Sequence, residues 1–132
     1  VDVLEEKPQQ ARVRITHMIN RDSGSPITVT ETITVRPDDV TLEDSVEGEG
    51  VQAVRAGFPM LVFDGKDRTR VEMQGNSVKL TLDGRSVRFR VQEPAGVTLQ
   101  RSGIEMPNRN GMVEEAFAEA NATRTVCRIT AE

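Results

Sequence analysis

Ile27-Thr28-Val29-Thr30-Glu31-Thr32-Ile33-Thr34-Val35 alternates residue by residue over nine positions. Four threonines share one parity, and Ile27, Val29, Ile33 and Val35 share the other, with Glu31 interrupting them. A period of two is the signature of a β-strand, and it predicts that the apolar parity faces a core.

The same grammar continues on both sides. Val13, Ile15 and Ile19 share a parity with His17, while Arg12 and Arg14 point the other way. Asn20–Pro26 is a turn cluster that joins this strand to the threonine strand, and Pro37-Asp38-Asp39 ends the latter. Val40 and Leu42 predict a short strand before the acidic stretch Glu43–Gly50. Met60–Phe63 reads as a compact buried strand, entered through Gly57-Phe58-Pro59 and stopped by Asp64-Gly65. Arg70–Met73 follows, then the turn Gly75-Asn76.

Val78–Leu82 and Arg85–Val91 flank Asp83-Gly84, a two-residue type I′ hairpin signal. That loop sets Leu80 opposite Val87 and Val78 opposite Phe89, so turn chemistry and apolar pattern agree on one register. Lys79 then faces Arg88, a like-charge pair that needs water or an acidic neighbour. Val97–Arg101 reads as a further strand, and Pro107–Gly111 as a turn. Met112–Ala122 has the composition of a helix, but an antiparallel domain closing on the strand Thr125–Thr130 favours a strand there. The expectation is an all-β antiparallel β-sandwich over residues 11–132. Residues 1–10, polar and holding Pro8, read as a linker or N-terminal arm.

A chain of 132 residues with 36% apolar content suits two packed layers. No apolar run approaches the ~20 residues of a membrane-crossing helix, so no membrane partner is expected. The chain opens on Val1 rather than Met, which points to a processed protein or a piece of a larger one. Cys127 stands alone and no internal disulfide is possible. From Glu31 to Glu49 there are seven acids against Arg36; from Arg55 to Arg101 nine bases stand against five acids. Arginine outnumbers lysine fourteen to three. The guanidinium fork suits carboxylate or sulfate. Pairing between the acidic and basic regions is the structural alternative.

Chemistry-bearing residues are sparse. Glu31 on an apolar parity suggests an acid or base, or a carboxylate that bulges outward or meets an arginine. His17 has no second histidine with which to build a zinc site, and reads as a core histidine bonded to backbone. Asp64 and Asp67 offer two carboxylates, too few for a calcium loop, so a turn is expected. Cys127 reads as a small buried hydrophobe. Asn121-Ala122-Thr123 matches a glycosylation acceptor, but so short a triplet is common by chance and reads as a plain surface loop. No metal, cofactor or catalytic set is expected. A small enzyme or metal domain built on His17, Glu31 and Asp64 is disfavoured.

Arg12/Arg14, Arg68/Arg70 and Arg88/Arg90 are i,i+2 pairs, each placing two guanidinium groups on one sheet face. Coinciding faces would form a basic stripe for an anionic polymer. Nucleic acid is the weaker partner, because the net charge is −4 and there are only four Phe, with no Tyr or Trp, for stacking.

The succession ARVRITHMIN, ITVTETITV, GFPMLVFDG, VKLTLDGRSVRFRV, NRNG and RTVCRIT resembles the C-terminal β-sandwich of bacterial polysaccharide lyases of the heparinase and alginate-lyase type. The resemblance covers about residues 11–131 and is one of strands and turns. It implies a secreted or periplasmic setting, a preceding catalytic toroid as partner, and an acidic, uronic-acid-containing polysaccharide as substrate. With no Tyr, the catalytic acid of such lyases has no counterpart here. The expected role is a non-catalytic accessory module of a larger carbohydrate-active protein. The alternative is an immunoglobulin-like interaction or assembly module that uses the acidic stretch 38–49 as its contact surface.

Overall fold

The computed structural model describes residues 1–132 and contains twelve strands in two antiparallel sheets. In chain order they are β1 (Asp2–Lys7), β2 (Gln10–Ile19), β3 (Ile27–Val35), β4 (Asp39–Glu47), β5 (Val54–Phe63) and β6 (Arg70–Gln74). There follow β7 (Ser77–Leu82), β8 (Arg85–Glu93), β9 (Gln100–Arg101), β10 (Met106–Asn108), β11 (Gly111–Ala120) and β12 (Arg124–Ala131). The large sheet runs β1-β2-β3-β4-β12-β8-β7-β6; the small one runs β10-β11-β5, with β9 pairing to β11. The chain is an all-β sandwich.

The hairpin β7–β8 has the register set by Asp83-Gly84, with Val78 opposite Phe89 and Leu80 opposite Val87. Asp83 (φ 48°) and Gly84 (φ 71°) both take the left-handed conformation that a type I′ turn requires. Phe89 stacks on Phe58 of β5 with ring centroids 4.6 Å apart. Around this pair Met60, Val62, Val78, Val91, Ala116 and Cys127 complete the core.

Gly57-Phe58-Pro59 does not merely lead into a strand; it lies within the ten-residue β5. Pro59 is tolerated because β5 is an edge of the small sheet. Met112–Ala120 is strand, part of β11, with Glu114, Ala116, Ala118 and Ala120 buried at alternate positions. Helical composition yields there to the period-two burial. Val97–Arg101 contributes only the two-residue β9. The stretch 1–10, read as linker or arm, forms the edge strand β1 paired to β2, with a register shift between Val3 and Glu5.

The threonine strand reverses its expected polarity. Thr32 and Thr34 are 6% and 5% exposed, whereas Val35, on the apolar parity, is 46% exposed. The large sheet overruns the small one. The core cluster and the side chains packed on it draw on β4, β12, β8, β7 and β6, and on nothing from β1, β2 or β3. Thr32 and Thr34 lie on the outer face instead, where register flanks them with Arg14, Glu43, Arg12 and Thr41. Long side chains on neighbouring strands thus shield the short ones.

At the β10–β11 turn, Asn110 N–H donates to Asn108 Oδ1 at 2.7 Å, and Gly111 has φ 137°. A Cβ there would lie 1.9 Å from the Phe63 carbonyl oxygen, a backbone atom that cannot swing away. Gly111→Ala is therefore expected to lower stability by about 2 kcal/mol or more, measurable by urea denaturation; an unchanged midpoint would refute this close approach.

Candidate anion-binding face

On the outer face, register lines up Arg12, Thr34, Thr41, Arg128, Arg90 and Ser77 across adjacent strands. Arg14 lies two residues along β2 and Arg88 two along β8, on the same parity. Arg70, opposite Thr81, joins the face at the far edge. Five of the six arginines expected to form a stripe thus share one surface.

Arg68 does not. It precedes β6, bridges to Phe63 at the end of β5, and forks onto Glu105 at 2.7 and 3.3 Å. Its guanidinium carbon stands 5.8 Å from the Phe63 ring centroid. The turn after Asp64 keeps residue 68 paired with β5, so the i,i+2 relation to Arg70 is broken.

β12 supplies two arginines that i,i+2 spacing could not reveal. Arg128 sits directly opposite Arg90, and Arg124 forms ion pairs with Glu93 at 2.6 Å and Glu43 at 3.6 Å. Their spacing of four keeps them on one face of a strand, a weaker signal than an adjacent pair.

Carboxylates temper this face. Arg12 meets Glu43 at 3.4 Å, Arg70 meets Glu72 at 2.9 Å and Arg128 meets Asp39 at 2.5 Å. Glu132 takes Arg88 Nε at 2.5 Å and Lys79 at 3.2 Å, so an acidic neighbour neutralises the like-charge pair. Arg88 chiefly holds the Glu132 carboxyl below its ordinary range, as Arg128 does for Asp39. Within the acidic stretch, Asp39 and Glu43 pair with Arg12, Arg36, Arg124 and Arg128, none of which lies in the basic region 55–101, where most cations pair locally or with later residues. Arg14 and Arg90 have no carboxylate within 4.0 Å.

Arg90 opens onto a depression of about 180 Å³ lined by Arg88, Gln92, Arg128, Thr130 and Glu132, with no apolar side chain. A second depression of about 360 Å³ lies beside Arg12, Arg14, Thr30, Thr32, Glu43 and Arg124. Guanidinium groups flanked by hydroxyl and amide groups can receive a carboxylate or sulfate as a forked, charge-assisted acceptor.

The remaining candidates fall out differently. His17 is exposed and makes no side-chain hydrogen bond, because β2 lies beyond the small sheet rather than in the core. Asp64 Oδ1 accepts from the Lys66 and Asp67 amides at 2.8 and 2.6 Å, which makes it a turn cap. No group of three or more His, Cys, Asp or Glu is arranged to hold a metal ion. Cys127 is buried, and desolvation pushes its thiol up to about 11. Glu114, buried in β11, is gripped by Arg101 and accepts from Gly103 N–H at 3.0 Å. That pairing holds its carboxyl below the ordinary range.

Glu31 neither bulges outward nor meets an arginine. It stays on the inner parity directly opposite Asp44, which in turn faces buried Thr125. Burial, then the charge and hydrogen bond of Glu31, raise Asp44 from 3.8 to about 6. A raised carboxyl binds its proton more tightly when folded. Its stabilising contribution is therefore full below about pH 4 and lost as pH rises through 6. The depressed carboxyls of Asp39, Glu114 and Glu132 act oppositely, and only below their ordinary range. Between pH 4.5 and 6.5 the native protein is expected to lose about 1–2 kcal/mol relative to Asp44→Asn, allowing for partial solvation. Melting curves of the two across that window check it; parallel profiles would contradict it.

No protein-family model matches the sequence, and a search of characterised proteins found no sequence match. Among solved structures, the crystal structure of a heparan sulfate lyase HepC mutant from Pedobacter heparinus is similar in fold. Its TM-score is 0.69 at 12% identity over 96% of this chain. The chain spans 20% of the length of that structure. The likeness establishes a sandwich of the kind found as one part of a polysaccharide lyase.

Proposed function

We propose that this chain is a non-catalytic β-sandwich module of a larger carbohydrate-active protein, contacting acidic polysaccharide through the outer face of its large sheet. The observation that carries the reading is Arg90, a guanidinium without a carboxylate, set between Arg88 and Arg128 in an all-polar depression. The fold shared with part of a heparan sulfate lyase supports the same class of ligand. Arg14, likewise without a carboxylate, provides a second contact along the sheet. Two such contacts, several strands apart, suit a linear polyanion better than a small anion. Open, polar depressions suit an extended glycan chain that stays largely solvated. The module's partners under this reading are a catalytic domain and, in a secreted or periplasmic setting, the glycan itself.

An interaction module that uses the acidic stretch 38–49 as its contact surface is the less favoured reading. β4 is an interior strand, and Asp39 and Glu43 already hold arginines.

Affinity electrophoresis through gels containing heparin, alginate or dextran tests the proposal. Heparin and alginate are expected to retard the protein, and 0.5 M salt to relieve it. Arg90→Gln and Arg14→Gln should each weaken binding by about fivefold, the scale of one solvated ion pair. Equal retardation by dextran, or arginine variants that bind like the native protein, would overturn it.

A further inference from the structure

The inner face of β2–β4 beyond the small sheet is an apolar surface that the domain itself leaves uncovered. Val13, Ile15, Val29 and Ile33 are only half-buried there, and Ile19 and Val35 are 48% and 46% exposed. None packs against the core. Register joins them into one patch, since Val13 faces Ile33, which faces Leu42, and Ile15 faces Glu31, which faces Asp44. A contiguous apolar face of this kind marks an interaction site.

Its charge says what kind. Asp39, Glu43, Glu114 and Glu132 each hold an arginine, but Glu31 and Asp44 hold none. No Lys or Arg occupies the inner parity of β2, β3 or β4; the only basic side chain on it is exposed His17. All fourteen arginines of the chain lie elsewhere. Two carboxylates at the centre of an apolar surface are complementary to an apolar element that brings its own cation.

We infer that this face docks a protein surface, such as an amphipathic helix, that lays aliphatic side chains on β2 and β3 and aims a Lys or Arg between Glu31 and Asp44. A second copy of the chain fits less well, because its inner face carries the same two carboxylates and would oppose like charge. The inference rests on the reading of the chain as a module, since it supplies the partner such a module leans on. It uses the sheet face opposite to the one proposed for glycan. A cation seated there offsets the charge that Asp44 carries when ionised, so docking favours ionised Asp44 and weakens as pH falls. The groups facing Asp44 are Glu31 from β3 and the Thr125 hydroxyl and Cys127 thiol from β12.

Two helical peptides test this with the full chain. One carries a leucine stripe with a central lysine, and the other replaces that lysine with glutamine. Amide chemical shifts should move saturably on β2–β4, and the lysine peptide should bind about tenfold more tightly at pH 7.5. The double variant Glu31→Gln/Asp44→Asn should remove that preference while still folding, because it removes a like-charge pair. Val35→Asp, at an exposed site, should weaken both peptides. Equal binding of the two peptides, shifts on the outer face, or concentration-dependent shifts without peptide would overturn the inference. The double variant should keep the heparin retardation of the native protein. A failure confined to either experiment thus identifies which of the two faces is wrongly assigned.

Discussion

Everything in this domain depends on how the small sheet covers the large one. The contact is narrow. Phe89 stacked on Phe58, with Met60, Val78 and Val91 fully buried around it, closes β5 and β11 over β12, β8 and β7. Aromatic and aliphatic burial of this kind is worth about 1.5–3 kcal/mol per side chain, and it is concentrated in roughly half of the large sheet. The other half, β1 to β3, is held by ladder hydrogen bonds and cross-strand neighbours rather than by a second layer.

That asymmetry divides the molecule by task. Where the layers meet, charge is expelled or tightly held, as Glu114 is by Arg101. On the outer face, arginines and carboxylates alternate across strands so that most charges cancel, leaving Arg14 and Arg90 exposed in polar surroundings. On the uncovered inner face the arrangement inverts, with apolar side chains surrounding two carboxylates. Under the two proposals, one sheet would offer anions its arginine-bearing outer side and a cationic, apolar partner its inner side. Both properties suit a module that works attached to something larger.

Local sequence rules were sufficient wherever one turn or one strand decides the outcome. The Asp83-Gly84 register, the pairing of Lys79 with Arg88 and the two-faced alternation of β2 follow from neighbours within a few residues. The failures were all matters of what lies across from a strand. Alternation placed Ile33 and Val35 on one face correctly, but it carries no information on whether a second sheet reaches that face. His17 is exposed for the same reason, whereas Thr32 is buried by the long Arg14 and Glu43 side chains beside it on the outer face. Arg68 was misassigned because a turn residue stayed paired to the preceding strand. Arg128 was missed because its proximity to Arg90 arises from β12 inserting between β4 and β8, a long-range pairing with no local signature. Glu31 was identified as anomalous, yet its partner Asp44 is fixed only by the β3–β4 register.

Residue-resolved amide hydrogen exchange of the isolated chain tests the uneven covering of the large sheet most directly. The account predicts that amides of Val78, Phe89, Val91 and Cys127 exchange only through global unfolding, while those of Val13, Ile15 and Val29 exchange through smaller openings, at least tenfold faster. Uniform protection from β2 through β8 would contradict it, since it would mean the sheet is stabilised evenly and its inner face is not left open.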